Sequence, residues 1–438
     1  MQETGYDLII ISDLHLSEGW SEETRMISRN EDFFFDLSFK RFLEYLRKQN
    51  KKYRLIINGD FVDFLQVTSV PDRIEGEEIK ERERKFGLGT TSVKTVWKLR
   101  KIMNGHWIFF ESLSGFLADE QENEVYILPG NHDIEFVMPE VQDAFREELV
   151  KYLRKEMVSQ QVIKERIKFL PWFYYDEKYS AYIEHGSQYD ALNSFDYFLC
   201  PYRRDSAIDL PAGSFFVRYL FNRLELDYPF ADNMKPVSRF MKWFLCRSYK
   251  PSYLKQLGIY ISFFKETLNK ASPIEKEWAK ELKSRQEQIL KDITDRYSLD
   301  FNKILCIKDM WVPSAIHNLS KYKLLWAFIT YSLPKDYWRS IARRIQEILK
   351  VQFVIFGHTH EADLYVISRD GNRRNEYVNS GTWTKVFASS YEERLLKEEN
   401  EFVYVHLREE IGKIKMELLK WNDSLGEGER VRLFEEKK

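Results

Sequence analysis

Cysteine is nearly missing from this chain of 438 residues. Cys200, Cys246 and Cys306 are odd in number, far apart, and form no Cys-x-x-Cys pair. That argues against a disulfide framework and a thiolate zinc site, and for buried thiols in a reducing compartment. No run reaches the ~18 apolar residues of a membrane span; the nearest, LLWAFITYSL from Leu324 to Leu333, is too short. The opening MQETGYDLIIISDLHL lacks the basic and long apolar regions of a signal peptide. A soluble, cytoplasmic protein is the expectation. An excess of one charge is missing too: the formal net charge is −2, so no global basic field recruits nucleic acid. No internal repeat or low-complexity tract stands out.

What is present belongs to a large globular chain, with 44% hydrophobic and 31% charged residues. Aromatic content is 16%, enough to serve both cores and ligand pockets. YDLIIISDLHL reads as a buried strand ending near Ser12, YRLIINGD as a second, EVYILPGNHD as a third, SAYIEHG as a fourth and QFVIFGHTH as a fifth. Helical spacing appears in FDLSFKRFLEYLRKQN and from Val93 to Leu117. LYVISRD, NEYVNSG, FVYVHLRE and KIKMELLKW alternate like antiparallel strands. Strands separated by helices argue for an α/β sandwich. Two stretches interrupt the rhythm. Thr68 to Thr90, charged and glycine-containing, reads as a mobile loop or lid. The larger, 190–345, is rich in helical pattern and reads as an inserted cap, leaving 1–189 and 346–438 as a discontinuous core.

Each of the five strands ends in residues that can hold metal. They supply Asp13 and His15; Asp60 and Asp63; Asn131, His132 and Asp133; His185; and His358 and His360. Histidine is scarce, eight in all, and five fall in this set. The carboxyl ends of strands in an α/β sheet form the crevice where ligands bind. Carboxylate, imidazole and amide donors suit manganese, iron or zinc. One carboxylate can bridge two ions ~3.5–4 Å apart, as phosphoryl-transfer sites require. The glycines before Asp60, Asn131 and His358 let the chain turn sharply. His358 and His360, one residue apart on extended backbone, would point the same way towards adjacent ions. Separately, each block has an ordinary explanation as a capping Asp, a turn or a surface pair. Their order, each directly after an apolar strand, favours a common site.

At this point the residues resemble the calcineurin-like metallophosphoesterases. SDLH, GD, GNHD, a lone His and GHTH match that family's five blocks in order, over Tyr6 to His185 and Phe353 to about Lys420. The resemblance implies a two-sheet αββα sandwich, here with a large helical insertion, and hydrolysis of a phosphoester or pyrophosphate. It implies one metal on Asp13, His15, Asp60 and His360, and a second on Asp60, Asn131, His185 and His358. Asp60 would bridge. Manganese is the expected ion, with iron, zinc and cobalt as alternatives. A hydroxide between the ions would attack phosphorus in line. His132 would stabilise the phosphoryl oxygens or protonate the leaving group, and Asp63 would orient it. A helix N-cap is the other reading of Asp63.

Protein Ser/Thr phosphatases of this superfamily carry Arg where this chain has Phe64, and Glu where it has Asp133. SDLHLSE, GDFVDF, EHGSQYD and VNSGTW look closer to the UDP-2,3-diacylglucosamine pyrophosphatases. Those have a smaller cap, and commonly Arg in place of His132. Within the cap, Arg203, Arg204, Arg218 or Arg247 could hold a second phosphate, and the interleaved aromatics a lipid or base. Aromatics at helical spacing are also ordinary core, and the basic residues a solvated face. A phosphorylated small molecule or lipid-linked substrate is expected, with peripheral membrane contact through the basic aromatic helices. The competing readings are a nuclease, which calls for a basic groove, and a noncatalytic scaffold using the insertion.

Overall fold

The computed structural model describes residues 5–153, 159–228, 274–318, 332–370, 373–384 and 402–431, with positions 258, 259, 262, 263, 266, 320 and 323. Arg247, Cys246 and residues 324–331 lie outside the described residues.

Fourteen strands are described: β1 Tyr6–Ile11, β2 Trp20–Ser21, β3 Met26–Ile27, β4 Lys52–Asn58, β5 Glu124–Leu128, β6 Ile167–Phe169 and β7 Tyr174–Asp176, then β8 Ala181–Ile183, β9 Phe353–Phe356, β10 Asp363–Asp370, β11 Arg373–Asn379, β12 Val403–Glu410, β13 Lys413–Asn422 and β14 Glu427–Arg430. They form a seven-stranded sheet in the order β14-β13-β12-β1-β4-β5-β6, a five-stranded sheet in the order β10-β11-β9-β8-β7, and a small β2-β3 hairpin. β1, β4, β5 and β6 run parallel, as do β8, β9 and β11. The last assignment differs from sequence expectation. NEYVNSG pairs antiparallel with β10 but parallel with β9.

The sandwich follows from strands that are apolar on both faces. All six residues of β1 and all four of β9 are buried. Successive side chains point to opposite faces. Leu8, Ile10, Ile56 and Leu128 therefore pack with Ile183, Ile355, Val378 and Val405 in a layer between the two sheets. Ile9, Ile11, Leu55, Ile57 and Ile127 face the other way, into a cluster with Phe39, Phe42, Leu99, Phe110 and Phe145 of the covering helices. Phe39, Phe42, Leu43 and Leu46 are the buried stripe of the helix Asp36–Lys48, at the spacing that one helix face requires.

The helical stretch from Val93 to Leu117 is two helices, Ser92–Gly105 and Trp107–Leu117. The break comes where Gly105 meets the loop after β1. A Cβ there would lie 1.9 Å from the Glu18 carbonyl oxygen. Residues 68–90, read as a mobile loop or lid, include the helix Glu81–Phe86 and are tied to their surroundings. Glu18 accepts backbone hydrogen bonds from Thr68 and Ser69. Glu83 accepts from the Lys80 and Gly89 amides and pairs with the buried Lys94. Only the Glu18 contacts are distant in sequence; those of Glu83 are local.

Within 190–345 the apolar packing divides. Leu290, Ile293, Ile304, Ile307 and Trp338 join the cluster on the outer side of the five-stranded sheet. Residues from Ala212 to Leu224, which include a π-helical turn at Val217–Phe221, instead form a separate cluster with Leu65 and Phe86.

Candidate metal centre

The loops leaving β1, β4, β5, β8 and β9 meet at one edge of the sandwich. Asp13, His15, Asp60, His358 and His360 all have left-handed backbone, with φ of 54°, 51°, 49°, 70° and 59°. So the expectation of extended backbone at His358 and His360 does not hold. The loops are tied to one another by main-chain bonds. Asp13 N–H donates to the Gly59 carbonyl, and Leu14 and His15 N–H to that of Asp60. The His358 amide donates to the Asp13 carboxylate at 3.0 and 3.1 Å. The VNSGTW segment clasps two loops at once. Thr382 Oγ1 donates to the Asp13 carbonyl at 2.6 Å and Asn379 Nδ2 to that of Gly357 at 2.6 Å.

The three glycines of the motifs act differently. Gly59 has φ of +79°, the turn expected of it. Gly130 and Gly357 do not have positive φ; there the reason is close approach. A Cβ on Gly130 would lie 2.1 Å from Asp60 Oδ1, and one on Gly357 would lie 2.8 Å from Asp13 Oδ2.

Beside a partly buried group of His15, Asp63 and His132, two fully buried groups of donors result, each within 4.8 Å: Asp13, His15, Asp60 and His360, and Asp60, His185 and His358. Asp60 belongs to both. His15 Nε2 lies 3.1 Å from His360 Nε2, which lies 3.3 Å from Asp13 Oδ1. His185 Nε2 lies 3.2 Å from Asp60 Oδ2 and 3.3 Å from Asn131 Oδ1. His185 Nδ1 donates to the Asn58 carbonyl at 2.8 Å, which leaves Nε2 for the site.

Burial opposes charge on these carboxylates, but the imidazoles outweigh it. His360 holds Asp13 down at about 2. His185, His132 and His15 hold Asp60 well below the ordinary range. In turn, burial disfavours a charged His185, yet Asp60 raises it to about 9. Deprotonated carboxylates facing imidazoles are the donor set of a divalent cation. Two nitrogens bound to one ion at ~2.1 Å lie roughly 3.0–3.4 Å apart for angles between 90° and tetrahedral. The 3.1 Å between His15 and His360 falls in that range. The residues present fit metal.

His132 lies beside this set. Its amide donates to Asp60 Oδ1 at 2.9 Å, and its Nδ1 donates to Asp63 Oδ2 at 2.6 Å. Asp63 sits beside His132 and is not a helix N-cap. Oδ2 serves His132, while Oδ1 accepts from the Leu65 and Gln66 amides at 2.8 and 3.0 Å, capping a turn rather than a helix. Burial opposes its charge, and His132 with His15 drives its pKa far below the carboxylate norm. Asp133 staples backbone instead, accepting from the Gly130 and Phe61 amides at 2.6 and 2.7 Å. Burial and the Asp60 charge push it up to about 7.

Three of the four cap arginines, those described, are engaged elsewhere. Arg203 pairs with Asp209 at 2.8 Å, and Arg204 with Glu275 at 3.2 Å. Arg218 donates to the Gly87 carbonyl at 2.6 Å. Two residues not singled out from sequence touch the site. Asp190 Oδ2 lies 3.1 Å from His358 Nε2, and Asn193 Oδ1 accepts from Asn131 Nδ2 at 3.4 Å. EHGSQYD contained the first, but nothing in its spacing marked it.

Among the described residues, no helix is long and apolar enough to cross a membrane. No curated protein matches the chain as a relative. The family model described as calcineurin-like phosphoesterase matches residues 6–362, from the first strand through the last histidine of the centre. With its buried Asp and His groups at the loop edge, the chain is a metal-dependent hydrolase of phosphoesters and belongs to the calcineurin-like phosphoesterase family.

Proposed function

We propose that the centre holds two divalent ions, manganese in the first instance, and that the substrate is a lipid- or nucleotide-linked phosphoester or pyrophosphate. The observation that carries the first part is Asp60. It is the one carboxylate common to two donor groups, one with Asp13, His15 and His360, the other with His185 and His358. Asn131 Oδ1, 3.3 Å from His185 Nε2, completes the second group. Such ions, when bound, neutralise phosphoryl charge and lower the pKa of water. The chain's own residues do the rest. Asp63 accepts from Nδ1 of His132 and so orients the ring, whose Nε2 gives a proton to the departing oxygen.

The substrate class rests on the motif likeness and on the insertion. We read 1–189 and 346–438 as the catalytic core and 190–345 as a cap that walls the site. Ser214, near the start of the cap, donates to the Asn131 carbonyl at 3.4 Å, which supports this placement. Cytoplasmic location with peripheral membrane contact belongs to the same reading.

The test is metal content beside a hydrolysis screen. Manganese-loaded protein is assayed on bis-p-nitrophenyl phosphate, p-nitrophenyl phosphate, UDP-linked and lipid-linked pyrophosphates, and single-stranded DNA. About two ions per chain with pyrophosphate turnover is the expected result. DNA cleavage without pyrophosphate turnover would replace the substrate reading, and fewer than one tightly bound ion would remove the dinuclear one.

A further inference from the structure

The second donor group contains two ligands that come from different ends of the chain, Asn131 and His358. Neither is free to choose its rotamer. His358 Nε2 lies 3.1 Å from Asp190 Oδ2. Asn131 Nδ2 donates to Asn193 Oδ1 at 3.4 Å. Asn193 Nδ2 donates to Asp190 Oδ2 at 2.9 Å. One short path, Asn131–Asn193–Asp190–His358, therefore spans both ligands. It turns the Asn131 amide so that its nitrogen faces Asn193 and its oxygen faces His185. The Leu192 amide, donating to Asp190 Oδ1 at 2.9 Å, fixes the carboxylate in the path.

The path is seated from above by the first helix of the 190–345 segment. Gly213 N–H donates to the Leu192 carbonyl at 2.6 Å. A Cβ on Gly213 would lie 2.0 Å from Asn193 Oδ1. Glycine at this position is thus required by the placement of Asn193, and a methyl group on it would push Asn193 off Asn131. The Ala315 amide binds the Ala191 carbonyl at 2.8 Å, so a later part of the segment holds the same turn.

We propose that Asp190 and Asn193 are positioning residues for the second metal subsite, and that the 190–345 segment sets the affinity of that subsite through them. The proposal rests on the dinuclear reading above. Outer partners of metal ligands typically change affinity 10–100-fold when removed. The first subsite, with Asp13, His15 and His360, has no member in this path.

The test titrates metal-free protein with Mn²⁺ by calorimetry and follows the magnetically coupled ion pair by electron paramagnetic resonance. Wild type takes up two ions and shows coupling. Asn193→Ala and Gly213→Ala bind the first ion as wild type does, lose about 10–100-fold in affinity for the second, and show coupling only at higher Mn²⁺. Ala is a good helix former, so Gly213→Ala does not weaken the helix itself. The double variant loses no more than Asn193→Ala alone, because the clashing group is gone. Wild-type affinity for the second ion in both single variants overturns the proposal, as does equal weakening of both ions. Uptake of one ion by wild type instead overturns the dinuclear reading beneath it.

Discussion

Replacing Asp63 by Asn tests the proton-transfer role of His132 with the least disturbance. Asn is close in shape and keeps an oxygen for the Leu65 and Gln66 amides, so the turn survives. What is lost is the charged acceptor of the 2.6 Å bond from His132 Nδ1. A hydrogen bond to a charged group contributes about 1.5–3 kcal/mol. That bond favours the protonated imidazole, so its loss leaves less of the acid form to give a proton, and the rate falls roughly 10–150-fold. The loss must depend on the leaving group. p-Nitrophenolate departs with little help, so p-nitrophenyl phosphate shows only a small decrease. Esters with alkyl or unsubstituted phenyl leaving groups show the full one. His15 Nδ1 lies 3.4 Å from the same oxygen, so metal content has to be measured in parallel. The assay is kcat for a series of aryl and alkyl phosphates at saturating Mn²⁺, wild type against Asp63→Asn. An equal decrease across the series with full metal content refutes proton transfer as the role of the dyad.

The remaining expectations concern metal, pH and strain. Asp60→Ala removes the carboxylate common to both groups and loses metal and activity together, read by metal analysis. His132→Ala keeps its metal and loses most turnover. Burial opposes a charge on His106, but Glu31 and Asp36, at 3.1 Å on either side, hold its pKa up at about 10. The folded pKa is raised, so this stabilisation is complete below the unfolded value of about 6.5 and fades as pH rises towards 10. Thermal unfolding from pH 6 to 10 shows that alkaline decline in wild type and loses much of it in His106→Gln. At His360, φ of 59° reverses the usual order of small residues. His360→Gly is more stable than His360→Ala by about 1 kcal/mol in denaturant unfolding of the metal-free protein; the opposite order shows that the backbone is not strained there.

The strands and the residues that converge at their ends were legible because both leave local marks: an apolar run, then a polar motif. Asp63 was legible as a partner of His132 or a helix N-cap; it meets His132, and its other oxygen caps a turn where no helix begins. The partners of these residues were not legible. Asp190 and Asn193 act on His358 and Asn131 across long sequence separations, and such hydrogen bonds impose no period. The same holds for Glu31 and Asp36, which look like surface acids but fix His106. Gly130 and Gly357 could be marked as required from sequence, yet the reason, a carboxylate packed against each Cα, exists only once the loops meet. In residues 68–90, read as a mobile loop or lid, the pairing of Glu83 with the buried Lys94 was not legible from charge and glycine content.

The left-handed backbone at five of the seven expected ligands has a geometric cause. Side chains two apart on a strand are roughly 6.6 Å apart, and neighbouring strands about 4.8 Å. Donors around one ion must approach to roughly 3 Å. A strand cannot bring them that close, and at these five ligands the chain folds back. Asp and His tolerate this conformation better than β-branched residues do, but it still costs about 1–3 kcal/mol at each position. Summed over five positions that is comparable with the 5–15 kcal/mol stability of a whole domain. It persists because the surroundings over-determine it. The Asp60 carbonyl accepts from Leu14 and His15, the Asp13 carboxylate from His358, and Thr382 and Asn379 close the loops behind. The amide network therefore fixes the loops that carry the ligands. Asp60 raises His185, and an imidazole must be neutral to hold a cation, so metal uptake there is coupled to proton release.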